Sequence, residues 1–93
     1  MSVQGVQTVV ARNLRRLRVE KAISQEALAV DATVDRTYVS RVERGLENPT
    51  ILVLERLAKA LNADVAEFFD RNQVARGPVK PLPGGRRSAR TKR

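Results

Sequence analysis

The segment from residue 24 to residue 45 has the pattern of two short helices joined by a tight turn, and it constrains the fold of the whole chain. Ser24 is placed to cap the first helix, because its hydroxyl can accept a hydrogen bond from a free N–H of the first turn. Asp35 is placed to cap the second helix, and its carboxylate also suits the positive end of the helix dipole. Gly45 can end that second helix, because glycine adopts a positive φ most easily.

The second of these helices has one apolar and one polar side. Val39 and Val42 are three residues apart, so they share one side and are expected to point inward. The opposite side carries hydrogen-bonding side chains: Arg36, Thr37, Ser40, Arg41 and Arg44. Arginine can donate two hydrogen bonds to guanine in the major groove of DNA, and threonine offers a hydroxyl and a methyl group. The pattern therefore indicates a helix that rests on a small core and presents a DNA-reading surface.

More helices are predicted on both sides of this segment. Val10, Leu14 and Leu17 repeat at spacings of four and three, which predicts a helix from about Thr8 to Lys21. A short last helix is predicted to begin after Asp64, because residues 64–67 have the spacing of a capping box, and to end near Asp70.

A fourth helix is predicted over about residues 51–61, after an N-cap at Thr50. Its core side is expected to hold apolar residues at helical spacing: Ile51, Leu54, Leu57, Ala58 and Leu61. Asn62 can end this helix in a left-handed conformation. The chain is therefore expected to form a compact all-α, five-helix domain over residues 1–70.

The net charge of +8 comes from the end of the chain. Residues 1–70 contain ten Lys/Arg and ten Asp/Glu, whereas residues 71–93 contain eight Lys/Arg and no acid. The segment 71–93 lacks apolar periodicity, so it is expected to be a disordered basic tail. The favoured role of this tail is to neutralise DNA phosphates, and the alternatives are contact with a protein or acidic surface, or a solubilising end.

Composition also excludes several kinds of chemistry. The chain has no cysteine and no histidine, which removes disulfides, thiol nucleophiles, ordinary zinc sites and imidazole acid–base catalysis. No glycine-rich phosphate loop is visible, so no enzyme, metal, cofactor or small-molecule ligand is expected. No apolar run approaches the roughly 20 residues that span a bilayer, and residues 1–8 lack a signal-peptide pattern. These features fit a cytoplasmic protein without a membrane partner.

From about residue 10 to residue 70, many positions resemble in order the helix-turn-helix domain of lambda-repressor/Cro-type (XRE-type) regulators. The matching segments are Ser24-Gln25, Leu28-Ala29, Arg36-Thr37-Tyr38-Val39-Ser40, Val42-Glu43-Arg44-Gly45, Asn48-Pro49-Thr50, Leu57-Ala58-Lys59-Ala60-Leu61 and Phe68-Phe69. The segment 36–40 also resembles small restriction–modification controllers. The resemblance implies a transcriptional regulator of a bacterium or phage, associated with the nucleoid, that binds double-stranded DNA at a palindromic operator as a homodimer.

The resemblance also implies roles for individual residues. The recognition helix, residues 35–44, would read bases through Arg36, Thr37, Ser40 and Arg41. Phosphate contacts are expected from Gln25, Tyr38, Arg44 and Asn48, and a structural ion pair is expected between Arg18 and Glu43. The candidate dimer interface consists of Leu46, Leu52, Val53, Val65 and Phe69. Two points stay open: Tyr38 either binds phosphate or packs on the turn, and Val65 with Phe69 either forms the interface or completes the core.

The sequence departs from its relatives at Ala22 and Thr33, two turn positions that commonly carry glycine. A left-handed residue other than glycine costs on the order of 1 kcal/mol, so either the backbone differs there or the strain is tolerated. The same fold also occurs in proteins that bind other proteins. An antitoxin or adaptor-type interaction module is therefore the alternative function.

Overall fold

The structure, a computed structural model, describes residues 5–74, and these residues form an all-helical domain. Five α-helices and one 3-10 helix follow each other: α1 (Val6–Glu20), α2 (Gln25–Ala32), α3 (Arg36–Glu43), α4 (Ile51–Ala60), the 3-10 helix (Val65–Phe69) and α5 (Arg71–Val74). The predicted all-α fold is confirmed, with helix ends that differ from the predicted ones by one or two residues. Helix α5 lies within the range that was assigned to the tail, and it packs against α1. The rest of the predicted tail lies outside the described residues.

One hydrophobic core joins the helices. Its buried members are Val10, Leu14, Leu17, Leu28, Ala29, Ala32, Val39, Val42, Leu54, Leu57, Ala58, Leu61 and Phe68. Burying each large aliphatic side chain contributes about 1.5–3 kcal/mol, so this cluster is the main source of stability. Val39 and Val42 are both buried, as their spacing predicted, and they fix the rotation of α3 about its axis.

Three of the four predicted N-caps form side-chain hydrogen bonds. The Ser24 hydroxyl accepts from the Ala27 N–H at 3.0 Å, and the Thr50 hydroxyl accepts from the Val53 N–H at 3.1 Å. Asp64 and Glu67 form the predicted capping box. Asp35 occupies the N-cap position of α3 with an extended backbone, but its carboxylate makes no capping hydrogen bond. Its contribution is therefore its charge at the positive end of the helix.

The two turn residues whose conformation the sequence left open, Ala22 and Thr33, are both left-handed, as is Asn62. Ala22 has φ 58°, Thr33 has φ 60° and Asn62 has φ 53°, whereas Gly45 has φ 73° and carries no steric cost. The turn at Thr33 is held from outside, because Arg56 of α4 donates from Nε to the Ala32 carbonyl at 3.1 Å and from Nη2 to the Thr33 carbonyl at 2.6 Å. The fold thus tolerates the strain instead of avoiding it.

A buried polar side chain joins the first helix to the last turns of the domain. Asn13 is fully buried. Its Nδ2 donates to the carbonyls of Phe68 at 2.9 Å and Asp70 at 3.0 Å, and its Oδ1 accepts from Arg16 Nε at 3.3 Å. Since every polar atom of this side chain has a hydrogen-bond partner, these bonds offset the cost of removing the side chain from water.

The predicted core side of α4 is wrong at one residue. Ile51 was expected to point inward, but it is 81% exposed. Ile51 is the first residue of α4, and the buried residues of this helix, Leu54, Leu57 and Ala58, follow it. Val53, which was expected in the dimer interface, is half-buried and packs against the core.

Candidate DNA-binding surface

Helix α3 presents one polar side to solvent. The predicted base-reading residues lie together on this side: Arg36 and Thr37 are exposed, and Ser40 and Arg41 are half-exposed. With 3.6 residues per turn, Arg36 and Arg41 lie at opposite edges, and Arg44 lies between them. In the described part of the chain, no hydrogen bond or ion pair holds the side chains of Arg36, Thr37 or Arg44. These groups are available to an external ligand.

The predicted pair of Arg18 and Glu43 connects α1 to the end of α3. Arg18 Nε donates to Glu43 Oε2 at 2.6 Å, and Arg18 Nη2 donates to Glu43 Oε1 at 3.0 Å. The two side chains are only 12% and 2% exposed. Arg18 also donates from Nη1 to the Ile23 carbonyl at 2.8 Å, so the same guanidinium holds the loop before α2.

Gln25 extends this connection to α2. Its Nε2 donates to Glu43 Oε1 at 3.1 Å, a contact that sequence reasoning did not foresee. Gln25 was expected to contact a DNA phosphate, and that role stays a prediction. In the structure, its amide group helps fix α2 relative to α3.

Arg41 is held by a residue that sequence reasoning missed. Arg41 Nε donates to Glu47 Oε2 at 2.7 Å, and Arg41 Nη2 donates to the Leu46 carbonyl at 3.4 Å. The Arg41 side chain is still 43% exposed. The sequence did contain one indication of this pair, because Glu47 follows Arg41 by six residues, after the turn that Gly45 allows.

The backbone of the same loop is held from α1. Gln7 Nε2 donates to the Glu47 carbonyl at 2.6 Å and to the Gly45 carbonyl at 3.3 Å. Asn48, predicted to contact phosphate, lies exposed in this loop. The loop therefore has a fixed backbone and an exposed polar side chain next to α3.

Tyr38 is half-buried and packs against the core, so the packing role that the sequence left open is present. Burial, and to a smaller extent the negative charge of Glu47, raises the pKa of the Tyr38 phenol above its ordinary value of 10.0. The phenol is therefore neutral at physiological pH. Its hydrogen bond to phosphate stays a prediction.

A basic cleft extends the polar side of α3 towards α1. Arg12 and Arg15 of α1 line it together with Arg44. Glu43 also lies at this cleft, but its charge is balanced by Arg18. The cleft therefore adds positive potential beside the recognition helix.

Most of the predicted dimer interface is exposed apolar surface. Leu46, Leu52, Val65 and Phe69 are exposed, and Ile51 is exposed beside Leu52. Val53 instead packs against the core, which removes most of it from this surface. No group of acidic side chains that could hold a metal ion occurs among residues 5–74, and no helix in that range is long and apolar enough to cross a membrane.

Comparison with known proteins identifies the architecture. The family model described as "Helix-turn-helix" (HTH_3) matches residues 14–68, which include all of α2 and α3. The chain belongs to the helix-turn-helix family. Its turn is the segment around Thr33, and α3 is the recognition helix of the motif.

Relatives of this helix-turn-helix chain include regulators of known structure. A "hypothetical transcription factor" of Neisseria meningitidis is 47% identical over 58 residues, which are 62% of this chain, and the match spans 55% of that relative's length. The restriction-modification controller protein C.AhdI from Aeromonas hydrophila is 40% identical, with a TM-score of 0.66 over 68% of this chain and 96% of that one. The C.Esp1396I controller tetramer is 32% identical, with a TM-score of 0.67 over 80% of this chain and 95% of that one.

Proposed function

We propose that this chain is a sequence-specific DNA-binding transcriptional regulator that acts as a homodimer on a palindromic operator in the cytoplasm. The observation that carries the proposal is the polar side of α3, where Arg36 and Thr37 stand free on a helix whose rotation is fixed by the core. The structure of C.Esp1396I, a tetramer in complex with its natural 35 base-pair operator, supports the same mode of action here.

Recognition and positioning are divided between different residues. The first turn of α3 enters the major groove, where Arg36 donates to guanine and Thr37 contacts a neighbouring base. Ser40 and Arg41 read bases further along the groove. Gln25, Tyr38, Arg44 and Asn48 contact phosphates, which set the register of the protein on the duplex but carry no sequence information.

Dimerisation places two recognition helices about one DNA turn apart, at roughly 34 Å. The exposed apolar residues Leu46, Leu52, Val65 and Phe69 form the contact between subunits, and Ile51 extends it. Large apolar side chains that a small domain leaves exposed are candidates for an interaction surface. The division into a DNA-binding domain and a following basic tail is part of this proposal, with α5 counted in the domain because it packs against α1.

Selection of bound duplexes from a random DNA pool, followed by sequencing, tests the proposal. We expect a motif with two-fold symmetry, whose half-site spacing reports the dimer geometry. Arg36→Ala should flatten the base preference at one or two positions of each half-site by about 1–3 kcal/mol. Lys59→Ala, which removes an exposed positive charge from α4, is the matched control and should leave the motif unchanged.

Two further variants test the dimer. Leu52→Asp should reduce the selected motif to a half-site and weaken binding, whereas Val30→Asp, at an equally exposed apolar residue of α2, should not. A wild-type chain that selects no motif and instead copurifies with a protein partner would replace this proposal with the interaction-module alternative.

A further inference from the structure

A carboxylate lies beside the proposed base-reading side of α3, where the phosphates of bound DNA would repel it. Glu47 is that residue, and its carboxylate accepts the Nε–H of Arg41 at 2.7 Å. Its backbone is fixed as well, because Gln7 donates to its carbonyl at 2.6 Å. Hydrogen bonds thus hold both the side chain and the backbone of Glu47, next to the predicted base reader Arg41.

The contacts of Arg41 leave its reading edge free. A guanidinium has five N–H donors. The Nε–H is bound to Glu47 and one Nη2 N–H to the Leu46 carbonyl, so three donors remain, including both on Nη1. Two donors are sufficient for the bidentate contact with guanine O6 and N7.

We propose that Glu47 is a specificity-determining positioning residue, which directs Arg41 to a base instead of to the DNA backbone. A free arginine beside DNA gains most from phosphates, and such contacts raise affinity equally for all sequences. Glu47 balances the charge of Arg41, repels phosphates from it and fixes the direction of its guanidinium. The inference rests on the proposed DNA-binding function and adds a residue that contacts no base itself.

This arrangement predicts opposite effects on affinity and on selectivity. Loss of the carboxylate removes a negative charge that faces DNA, so binding to an unrelated duplex becomes tighter, by about twofold or more at low salt. The same change frees Arg41 to bind phosphates, so the preference for the base that Arg41 reads falls by about fivefold or more. A merely structural role for Glu47 would weaken binding to all sequences alike.

The test uses the full chain and measures dissociation constants for the selected operator, its single-base variants and an unrelated duplex. Arg41→Ala first identifies the base pairs that Arg41 reads. Glu47→Ala should then lower preference at those base pairs only, and in the Arg41→Ala background it should change preference no further. Glu47→Gln keeps an acceptor for the Arg41 Nε–H without the charge, so its preference should lie between that of the wild type and that of Glu47→Ala.

Glu55→Gln is the matched control, because it removes the same charge from an exposed side chain of α4. It should leave preference at every position unchanged. Circular dichroism checks that each variant folds, and Glu47→Gln carries the test if Glu47→Ala does not fold. The inference is overturned if the Glu47 variants keep base preference within twofold of wild type at the base pairs whose preference Arg41→Ala changes. That outcome leaves the proposed function intact. A wild-type chain without base preference overturns both.

Discussion

The ion pair between Arg18 and Glu43 offers a quantitative test of how the recognition helix is held. The Glu43 carboxylate receives three hydrogen bonds, two from Arg18 and one from Gln25. Arg18→Met removes two of these donors and leaves a carboxylate whose side chain is 2% exposed. Removing one partner of a buried pair costs about 3–5 kcal/mol, because the remaining charge is left without compensation.

The expected loss is large relative to the stability of the domain. Small domains are stable by about 0.05–0.15 kcal/mol per residue, which gives roughly 4–10 kcal/mol for residues 5–74. Glu43→Leu should cost a similar 3–5 kcal/mol, since Arg18 then keeps only the Ile23 carbonyl. The double variant Arg18→Met/Glu43→Leu removes both charges, so it should cost about 2 kcal/mol or less.

Urea denaturation followed by circular dichroism measures these free energies of unfolding. The two single changes add to roughly 6–10 kcal/mol, so the expected coupling energy is about 4 kcal/mol or more. Glu20→Gln is the control, because it breaks a pair with Arg16 at 3.4 Å in which the Glu20 side chain is 57% exposed, and it should cost less than about 1 kcal/mol. A double variant as unstable as the sum of its singles would refute the view that charge burial dominates this contact.

The strained turns and the single tyrosine give two more predictions. Thr33→Gly should raise the free energy of unfolding by about 1 kcal/mol and Ala22→Gly should be neutral or stabilising, because both residues have left-handed backbones. Thermal melts measure both changes. Ala27→Gly, which lies inside α2, is the control and should cost about 1 kcal/mol. Tyr38 should ionise above pH 10.0 in the folded protein by ultraviolet absorbance, and Glu47→Gln should lower the midpoint. Since the folded-state pKa is the higher one, the contribution of Tyr38 to stability should fall as pH rises above 10.0, and a midpoint at or below that value would contradict its burial.

Local patterns in the sequence predicted α1 to α4 and the short helix after Asp64, with their approximate ends, because these depend on residues close together in the chain; they did not predict α5. The spacing of Val39 and Val42 is sufficient to orient α3, and the hydroxyls of Ser24 and Thr50 cap helices within their own first turns. Ile51 shows the limit of this reasoning. Helical periodicity tells which side of α4 a residue lies on, but it does not tell which residues of that side another element covers.

Contacts between distant residues required the structure. Asn13 is a polar residue in an arginine-rich helix, and nothing near it in the sequence indicates that it binds carbonyls 55 and 57 residues away. Its side chain joins α1 to the 3-10 helix that carries two residues of the proposed dimer interface. A polar side chain can therefore be as deeply buried as the apolar residues of its helix when its partners are backbone atoms of another element.

The proposed DNA-binding surface was predictable from the sequence only in part. The sequence was enough to predict which residues of α3 face outward, since their side follows from the two buried valines. It was not enough to predict that Arg41 is directed by Glu47 while Arg36 is free, because that difference depends on how the chain turns after Gly45. Two arginines can therefore lie on the same side of one helix while only one of them has its side chain restrained. The restrained arginine loses less side-chain entropy when it binds a base. For this reason we expect Arg41 to contribute more to selectivity than its partial exposure suggests.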